Sequence, residues 1–274
     1  MGQLVHTLSQ GELVRGVTLL AGEIYLLIWK ARDQVEVYDV TTYRLQRRLT
    51  VPYARSFTDM TSCEHNRCVY IGDDDSERVH RLDVHGAVTQ WAVKNTPCRL
   101  SVNAAHNVLV ACRWVSKIKE FSSHGDLLRE LTLPGDVIWP LHAIQTRSDQ
   151  FIVCRGGLDD TVQRVYMISA DGRHIVHPHG GQRGSDNDRY NGPVHLAVDD
   201  NKSVFVADYY NRRVKLLSPT LEYVGQVVSP DQLKCGLPAR LYLDTQRRHL
   251  YVAEIDWNEE QGKYASGRVA VFSV

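Results

Sequence analysis

Short runs of alternating apolar and polar residues recur along the whole chain, whereas runs with helical periodicity are nearly absent. Alternation of this kind is typical of half-buried β-strands. One unit repeats: an apolar run such as residues 204–206, then a basic or amide residue and a β-branched residue that open the next run. Its six copies, roughly 40–55 residues apart, open at Gln34, Arg78, Lys117, Arg164, Arg213 and Arg268. The pattern predicts an all-β protein built from six equivalent units.

Each unit also contains a strand ahead of the apolar run, often opened by proline, and most contain a closing strand. Four short strands separated by turns form an antiparallel sheet, and repeats of this length are typical of propeller blades. A β-sandwich does not predict six equivalent units. The sequence therefore predicts one domain over residues 1–274, a six-bladed β-propeller.

The two ends of the chain complement each other. The sixth unit supplies three strands, which would leave an unpaired edge in the last blade. Residues 4–8 precede the first blade, alternate suitably and have no other assignment. We therefore expect the N-terminal strand to close the ring as the outer strand of the last blade.

The fifth unit resembles a full NHL repeat. The residues that carry this resemblance are the segments 180–185, 190–193, 196–199, 204–208 and 211–214. Arg212 follows Asn211 where histidine is usual in that family, and the other units match mainly in their hydrophobic positions. The resemblance, which is to the C-terminal domains of tripartite-motif NHL proteins, implies a propeller that serves as a binding platform for protein or RNA.

Composition narrows the range of partners. Thirty-two basic and 32 acidic residues cancel, so the chain has no global attraction to nucleic acid or anionic membranes. No apolar run is long enough to span a membrane, and the first residues do not resemble a secretory signal. Most of the six cysteines lie within apolar runs, which is typical of reduced thiols in a cytoplasmic protein. We expect a cytoplasmic domain that is monomeric when isolated and has no membrane partner.

One end of the propeller collects candidate binding residues. In a four-stranded meander, the loop that enters the first strand and the loop that joins the second and third strands lie at the same end. Four residues stand two positions after the proline of an entering loop and are expected to ring the mouth of the central channel, with Asp59 beside them: Arg99, His142, His195 and Arg240. The second group of loops, which includes a long insertion over residues 256–267, adds Arg113, Trp114, Arg155, Tyr209, Tyr210, Arg212 and Trp257.

These residue types favour a non-catalytic binding module that recognises a protein or peptide, because Trp, Tyr and Arg dominate binding hot spots. RNA binding is the first alternative, weakened by the acidic residues in the same loops. A metal-dependent hydrolase or lyase is the second alternative, although two ring histidines fall one short of a zinc site with three protein ligands. We therefore assign no catalytic residue, metal ligand or cofactor. The ring itself has two interpretations: it binds an anionic group of the partner, or it pairs internally with acids such as Asp59 and plugs the channel.

Overall fold

A computed structural model describes residues 1–8, 11–29, 33–146, 149–156, 160–234, 236–258 and 263–274, apart from the side chains of 257–258 and 263–265. Within these residues the chain forms six four-stranded antiparallel sheets. Each innermost strand contacts the innermost strands of the two neighbouring sheets, and the contacts run through all six sheets and back to the first. The structure thus confirms the six-bladed β-propeller.

The strands follow the chain blade by blade, after a leading strand β1 (Gln3–Leu8). Blade 1 contains β2 (Val14–Leu20), β3 (Glu23–Ile28), β4 (Gln34–Asp39) and β5 (Leu45–Thr50). Blade 2 contains β6 (Phe57–Cys63), β7 (Cys68–Asp73), β8 (Arg78–Asp83) and β9 (Val88–Ala92). Blade 3 contains β10 (Arg99–Val102), β11 (Val108–Cys112), β12 (Lys117–Phe121) and β13 (Leu127–Thr132). Blade 4 contains β14 (Pro140–Gln145), β15 (Phe151–Arg155), β16 (Val162–Ile168) and β17 (Ile175–Gln182). Blade 5 contains β18 (Pro193–Val198), β19 (Val204–Asp208), β20 (Arg213–Leu217) and β21 (Tyr223–Val228). Blade 6 contains β22 (Leu237–Asp244), β23 (His249–Asn258) and β24 (Lys263–Ser273), with β1 as its fourth strand.

The N-terminal strand closes the ring as predicted. β1 pairs antiparallel with β24, so that Leu4 lies opposite Phe272 and Leu8 lies opposite Val269. Leu8 is 3% exposed and belongs to the core cluster between the last and first blades. The closure joins the two ends of the chain, so no edge of the sixth sheet remains open on this side.

The second strand of each blade explains the continuous apolar runs in the sequence. All six residues of β7 are buried, as are all five of β11 and β19. These strands lie in the middle of a sheet whose two faces both pack against neighbouring blades, so neither face needs polar residues. The outer strands β5 and β13 are largely exposed and carry the polar residues of the repeat.

The sixth blade differs from the sequence-based expectation in one respect. The insertion over residues 256–267, expected as a loop, is mostly an extension of the β23–β24 hairpin, with Asp256 opposite Ser266. Short 3₁₀ helices instead occupy the corresponding loops of blades 3 and 5, at Arg113–Val115 and Tyr209–Asn211. No helix in the described part of the chain is long and apolar enough to cross a membrane.

Candidate functional site

Five of the six inner strands enter the propeller through an irregularity at the same position. In five blades the pairing of the first and second strands skips one residue, for example between Phe57 and Asp59 and between Pro193 and His195. A β-bulge of this kind changes the direction in which successive side chains point. The bulged residues are Arg15, Thr58, Leu141, Val194 and Ala239, and all five line one cavity at the end of the channel.

The residues that follow the bulges close the channel beneath that cavity. Asp59, His142, His195 and Arg240 are between 1% and 7% exposed, and we call this cluster the plug. One carboxylate oxygen of Asp59, Oδ1, accepts a hydrogen bond from Arg240 Nε at 2.8 Å, and Oδ2 lies 3.7 Å from His195 Nε2. Blades 2 and 5 are opposite each other in a ring of six, so the contact between Asp59 and His195 crosses the channel axis.

Backbone groups of neighbouring blades engage the two histidines. His142 Nε2 donates to Leu100 O in blade 3, and Nδ1 accepts from Leu196 N in blade 5, both at 3.1 Å. His195 Nδ1 accepts from Leu241 N in blade 6 at 3.3 Å. The two rings stack with centroids 4.0 Å apart. Both histidines are therefore held in the neutral form that accepts at Nδ1, and they link four consecutive blades.

Burial reinforces this protonation state. Desolvation, followed by the charge of His195, holds the pKa of His142 well below its usual value. Desolvation also lowers the pKa of His195, although Asp59 opposes the shift. A buried imidazole loses more hydration when charged than when neutral, which is the physical cause of both shifts. Near neutral pH neither histidine carries a charge.

The remaining two plug residues form an internal ion pair. Burial alone would raise the pKa of Asp59, but the charge of Arg240 and, after it, the proximity of His195 outweigh it and hold that pKa well below its usual range. Burial and the charge of Arg99 lower the pKa of Arg240 to about 9, which leaves it charged at neutral pH. Arg240 also donates to the backbone oxygens of Thr58 and Ala239. The guanidinium of Arg240 is thus satisfied inside the protein, as the internal-pairing interpretation expects.

Asp59, His142 and His195 also form a cluster of possible metal ligands, because one ligand atom from each lies within 4.8 Å of the others. The hydrogen bonds of the cluster oppose this use. Both nitrogens of His142 are engaged by backbone groups, so coordination would break one interblade hydrogen bond. A metal ion would also add a second buried cation beside Arg240. The donor set fits interblade hydrogen bonding better than it fits a metal ion.

Above the plug lies a cavity of 530 Å³ that is lined by residues from all six blades; we call it the mouth cavity. Its lining differs from one side to the other. Blades 1 to 3 contribute arginine and tryptophan, namely Arg15, Trp29, Arg99, Arg113 and Trp114. Blades 4 to 6 contribute mainly apolar and tyrosine side chains, namely Leu141, Val194, Tyr209, Tyr210, Ala239 and Ile255, together with Arg240.

Two tryptophans stand exposed on this cavity, each beside an arginine. The Arg15 guanidinium carbon lies 3.2 Å from the centroid of a Trp29 ring, and Arg15 Nη1 donates to Phe57 O. The Arg113 guanidinium carbon lies 5.0 Å from a Trp114 ring centroid. Trp29 is 44% exposed and Trp114 is 67% exposed. Cation–π contacts of this type hold the indoles in position while leaving much of their surface available to a partner.

The structure separates the sequence-predicted residues into groups. Those that line the mouth cavity are Arg99, Arg113, Trp114, Tyr209, Tyr210 and Arg240. Asp59, His142 and His195 lie in the plug below it. Sequence analysis missed Arg15. Gly16 occupies in blade 1 the position that Asp59 and His142 occupy in blades 2 and 4, and Arg15 stands immediately before it. Aligning Arg15-Gly16 with Thr58-Asp59 would have found it.

Two predicted residues, Arg155 and Arg212, are not among the described residues that line the cavity. Arg155 donates to Asp136 O and pairs with Asp160 at 3.4 Å, so its charge is used within blade 4. Arg212 donates towards Leu233 O. Sequence order placed both in mouth loops, but their side chains turn to backbone and acidic groups beside them. The side chain of Trp257 lies outside the described residues.

Comparison with known proteins supports the fold. No protein-family model matches the chain, and no curated protein is similar to it at a significant level. Among solved structures, virginiamycin B lyase from Staphylococcus aureus matches with a TM-score of 0.65 and 9% identity, over 100% of both chains. A streptogramin B lyase matches with a TM-score of 0.65 and 10% identity, over 99% of this chain and 97% of that one. Hydrazine synthase from Kuenenia stuttgartiensis matches with a TM-score of 0.63 and 11% identity, over 96% of this chain and 97% of that one. Identities this low show a shared fold and nothing about activity.

Proposed function

We propose that this propeller is a non-catalytic binding module whose mouth cavity recognises a segment of a protein or peptide. The observation that carries the proposal is the pair of exposed tryptophans, Trp29 and Trp114, each fixed by an arginine at the cavity. Rigid aromatic side chains with arginine next to them supply much of the energy of protein interfaces, and they lose little entropy on binding when already held.

Two residues of the plug, His142 and Asp59, support a binding role over a catalytic one. A general acid or base needs an atom that can exchange a proton with a substrate. His142 has no such atom because backbone groups of two blades occupy both nitrogens. Asp59 is 1% exposed and bound to Arg240 and Leu100 N. These groups serve as interblade links and form the floor of the cavity.

Charge supports a protein partner over RNA. The mouth cavity includes four arginines, but Arg240 is neutralised by Asp59, and Asp74 lies in the same lining. RNA affinity rests largely on many phosphate contacts along a basic surface. A small cavity with mixed charge and exposed indoles suits a short peptide segment better.

The experiment is selection of a displayed random-peptide library on the immobilised protein, followed by affinity measurement of synthetic peptides. We expect Trp114→Ala and Trp29→Ala each to weaken the selected peptides at least about tenfold, equivalent to about 1.4 kcal/mol. Leu128→Ala is the matched control, because Leu128 is 52% exposed in the outer strand of blade 3. It should leave affinity unchanged.

A parallel titration with a random RNA pool tests the alternative. RNA contacts to roughly 6–10 phosphates would lose orders of magnitude in affinity between about 50 and 200 mM salt. Steeply salt-dependent RNA capture without any peptide selection would overturn the proposal, as would peptides that bind equally well to both tryptophan variants.

A further inference from the structure

The two sides of the mouth cavity are complementary to two different kinds of chemical group in an occupant. The side formed by blades 4 to 6 includes Leu141, Val194 and Ala239, whose side chains offer only hydrocarbon to an occupant, beside two tyrosines and the internally paired Arg240. The side formed by blades 1 to 3 carries Arg15, Arg99 and Arg113. An occupant that fills the cavity must therefore present an apolar group on one side and a group compatible with guanidinium on the other.

Arg99 contributes a charge to the mouth cavity that is not held in an ion pair among the described residues. Its Nη1 donates to the carbonyl of Cys98, its own neighbour in the chain, at 2.9 Å. Its Nε is buried without a hydrogen-bond partner. Among the described residues no carboxylate lies within ion-pair distance of Arg99, whereas Arg240 has Asp59. A partly buried guanidinium without a counter-charge is unfavourable, and a carboxylate from outside would remove that cost.

The charge of the cavity as a whole agrees with an acidic occupant. Asp74 is the one acidic residue among the described residues that line it, against four arginines. Internal pairing of Arg240 with Asp59 removes one of these positive charges. Arg99 and Arg113 both lie on one side of the cavity, so an acidic group is guided to that side and away from the apolar side.

From this geometry we infer the chemistry of the partner: a peptide segment in which an aspartate or glutamate side chain binds Arg99 while an adjacent apolar side chain packs on Leu141, Val194 and Ala239. This inference rests on the proposed peptide-binding function and adds the identity of the group recognised.

Three synthetic peptide libraries test the inference. All have random flanks and blocked ends, and they differ in a fixed central pair: Asp-Leu, Asn-Leu or Lys-Leu. We expect the Asp-Leu library to bind the wild-type protein at least about tenfold more tightly than the Asn-Leu library. We expect the Lys-Leu library to bind most weakly. Arg99→Gln should abolish the preference for aspartate, and Arg99→Lys should retain part of it, because lysine keeps the charge without the planar fork.

Arg173→Gln is the matched control, since it removes the same charge from an exposed turn. It should leave the preference intact. Arg99→Gln is expected to fold, because Arg99 donates its hydrogen bonds to Cys98 in its own blade; if it does not, Arg113→Gln at the cavity rim takes its place. Equal binding of the Asp-Leu and Asn-Leu libraries would overturn the inference while leaving peptide binding standing. Binding that requires an unblocked C-terminus would overturn it in favour of a terminal carboxylate, and the absence of binding by every library would overturn the proposed function itself.

Discussion

Replacing Asp59 by asparagine tests whether the plug holds the propeller together. The amide keeps the size of the side chain but removes the negative charge that Arg240 faces across 2.8 Å. Arg240 is 7% exposed, so water cannot readily replace the lost partner. The isosteric change therefore isolates the charge from the packing.

The expected loss of stability can be worked from the contacts. The charge-assisted hydrogen bond from Arg240 Nε contributes about 1.5–3 kcal/mol, and the hydrogen bond from Leu100 N about 0.5–1.5 kcal/mol. Part of the second bond survives in the amide, but Arg240 is left as a buried charge without its counter-ion. Removing one partner of a buried ion pair typically costs about 3–5 kcal/mol. We expect Asp59→Asn to lower the free energy of unfolding by this amount.

Urea unfolding followed by tryptophan fluorescence measures the effect, provided that the slope of the transition is unchanged. Asp59→Asn combined with Arg240→Met should be less destabilised than Asp59→Asn alone, because the orphaned charge is gone. Asp200→Asn, an exposed aspartate in a turn of blade 5, is the control and should change stability by less than about 0.5 kcal/mol. An Asp59→Asn protein as stable as the wild type would refute the structural role of the plug.

Three further perturbations test other parts of the structure. Leu8→Ala should lower the free energy of unfolding in urea by about 2–5 kcal/mol, since Leu8 is 3% exposed in the closing strand. Leu4→Ala on the same strand should lower it far less, because Leu4 is 38% exposed. Equal effects would contradict the closure. Burial holds the pKa of His142 in the folded protein below its value in the unfolded chain, so that on acidification the unfolded chain binds a proton before the folded protein does. The free energy of unfolding should therefore fall by about 1.4 kcal/mol per pH unit as the pH drops below about 6.5. Urea midpoints between pH 8 and 5 check this, and a flat profile would contradict it. Lys215→Met removes three hydrogen bonds to backbone oxygens of the loop 186–189 and should speed proteolysis there, whereas the exposed Lys202→Met should not.

The repeat made the fold predictable because strand periodicity and turns are local properties of the chain. The alternating runs, the fully apolar second strands and the missing outer strand of the sixth unit were sufficient to predict six blades and their closure by residues near the N-terminus. Burial of both faces of a blade shows directly as a continuous apolar run, as in β11 and β19. The position of the ring residues, two after a proline, was also a local signal. His142 and His195 share that position and lie stacked in the plug.

Which of these residues bind each other depended on the tertiary structure. Asp59 and Arg240 are 181 positions apart in the chain and meet only because the ring closes. The bulges at the entry of blades 2 and 4 decide that Thr58 and Leu141 line the cavity while Asp59 and His142, which follow them, lie in the plug. A bulge alters pairing without a fixed sequence signature. Arg155 turned away from the cavity because acidic and carbonyl oxygens lie closer to it. Periodicity along the chain determined the blades. The distances between side chains from different blades were decided only when the six blades packed around one axis. Those distances determine which charges are neutralised and which face a partner.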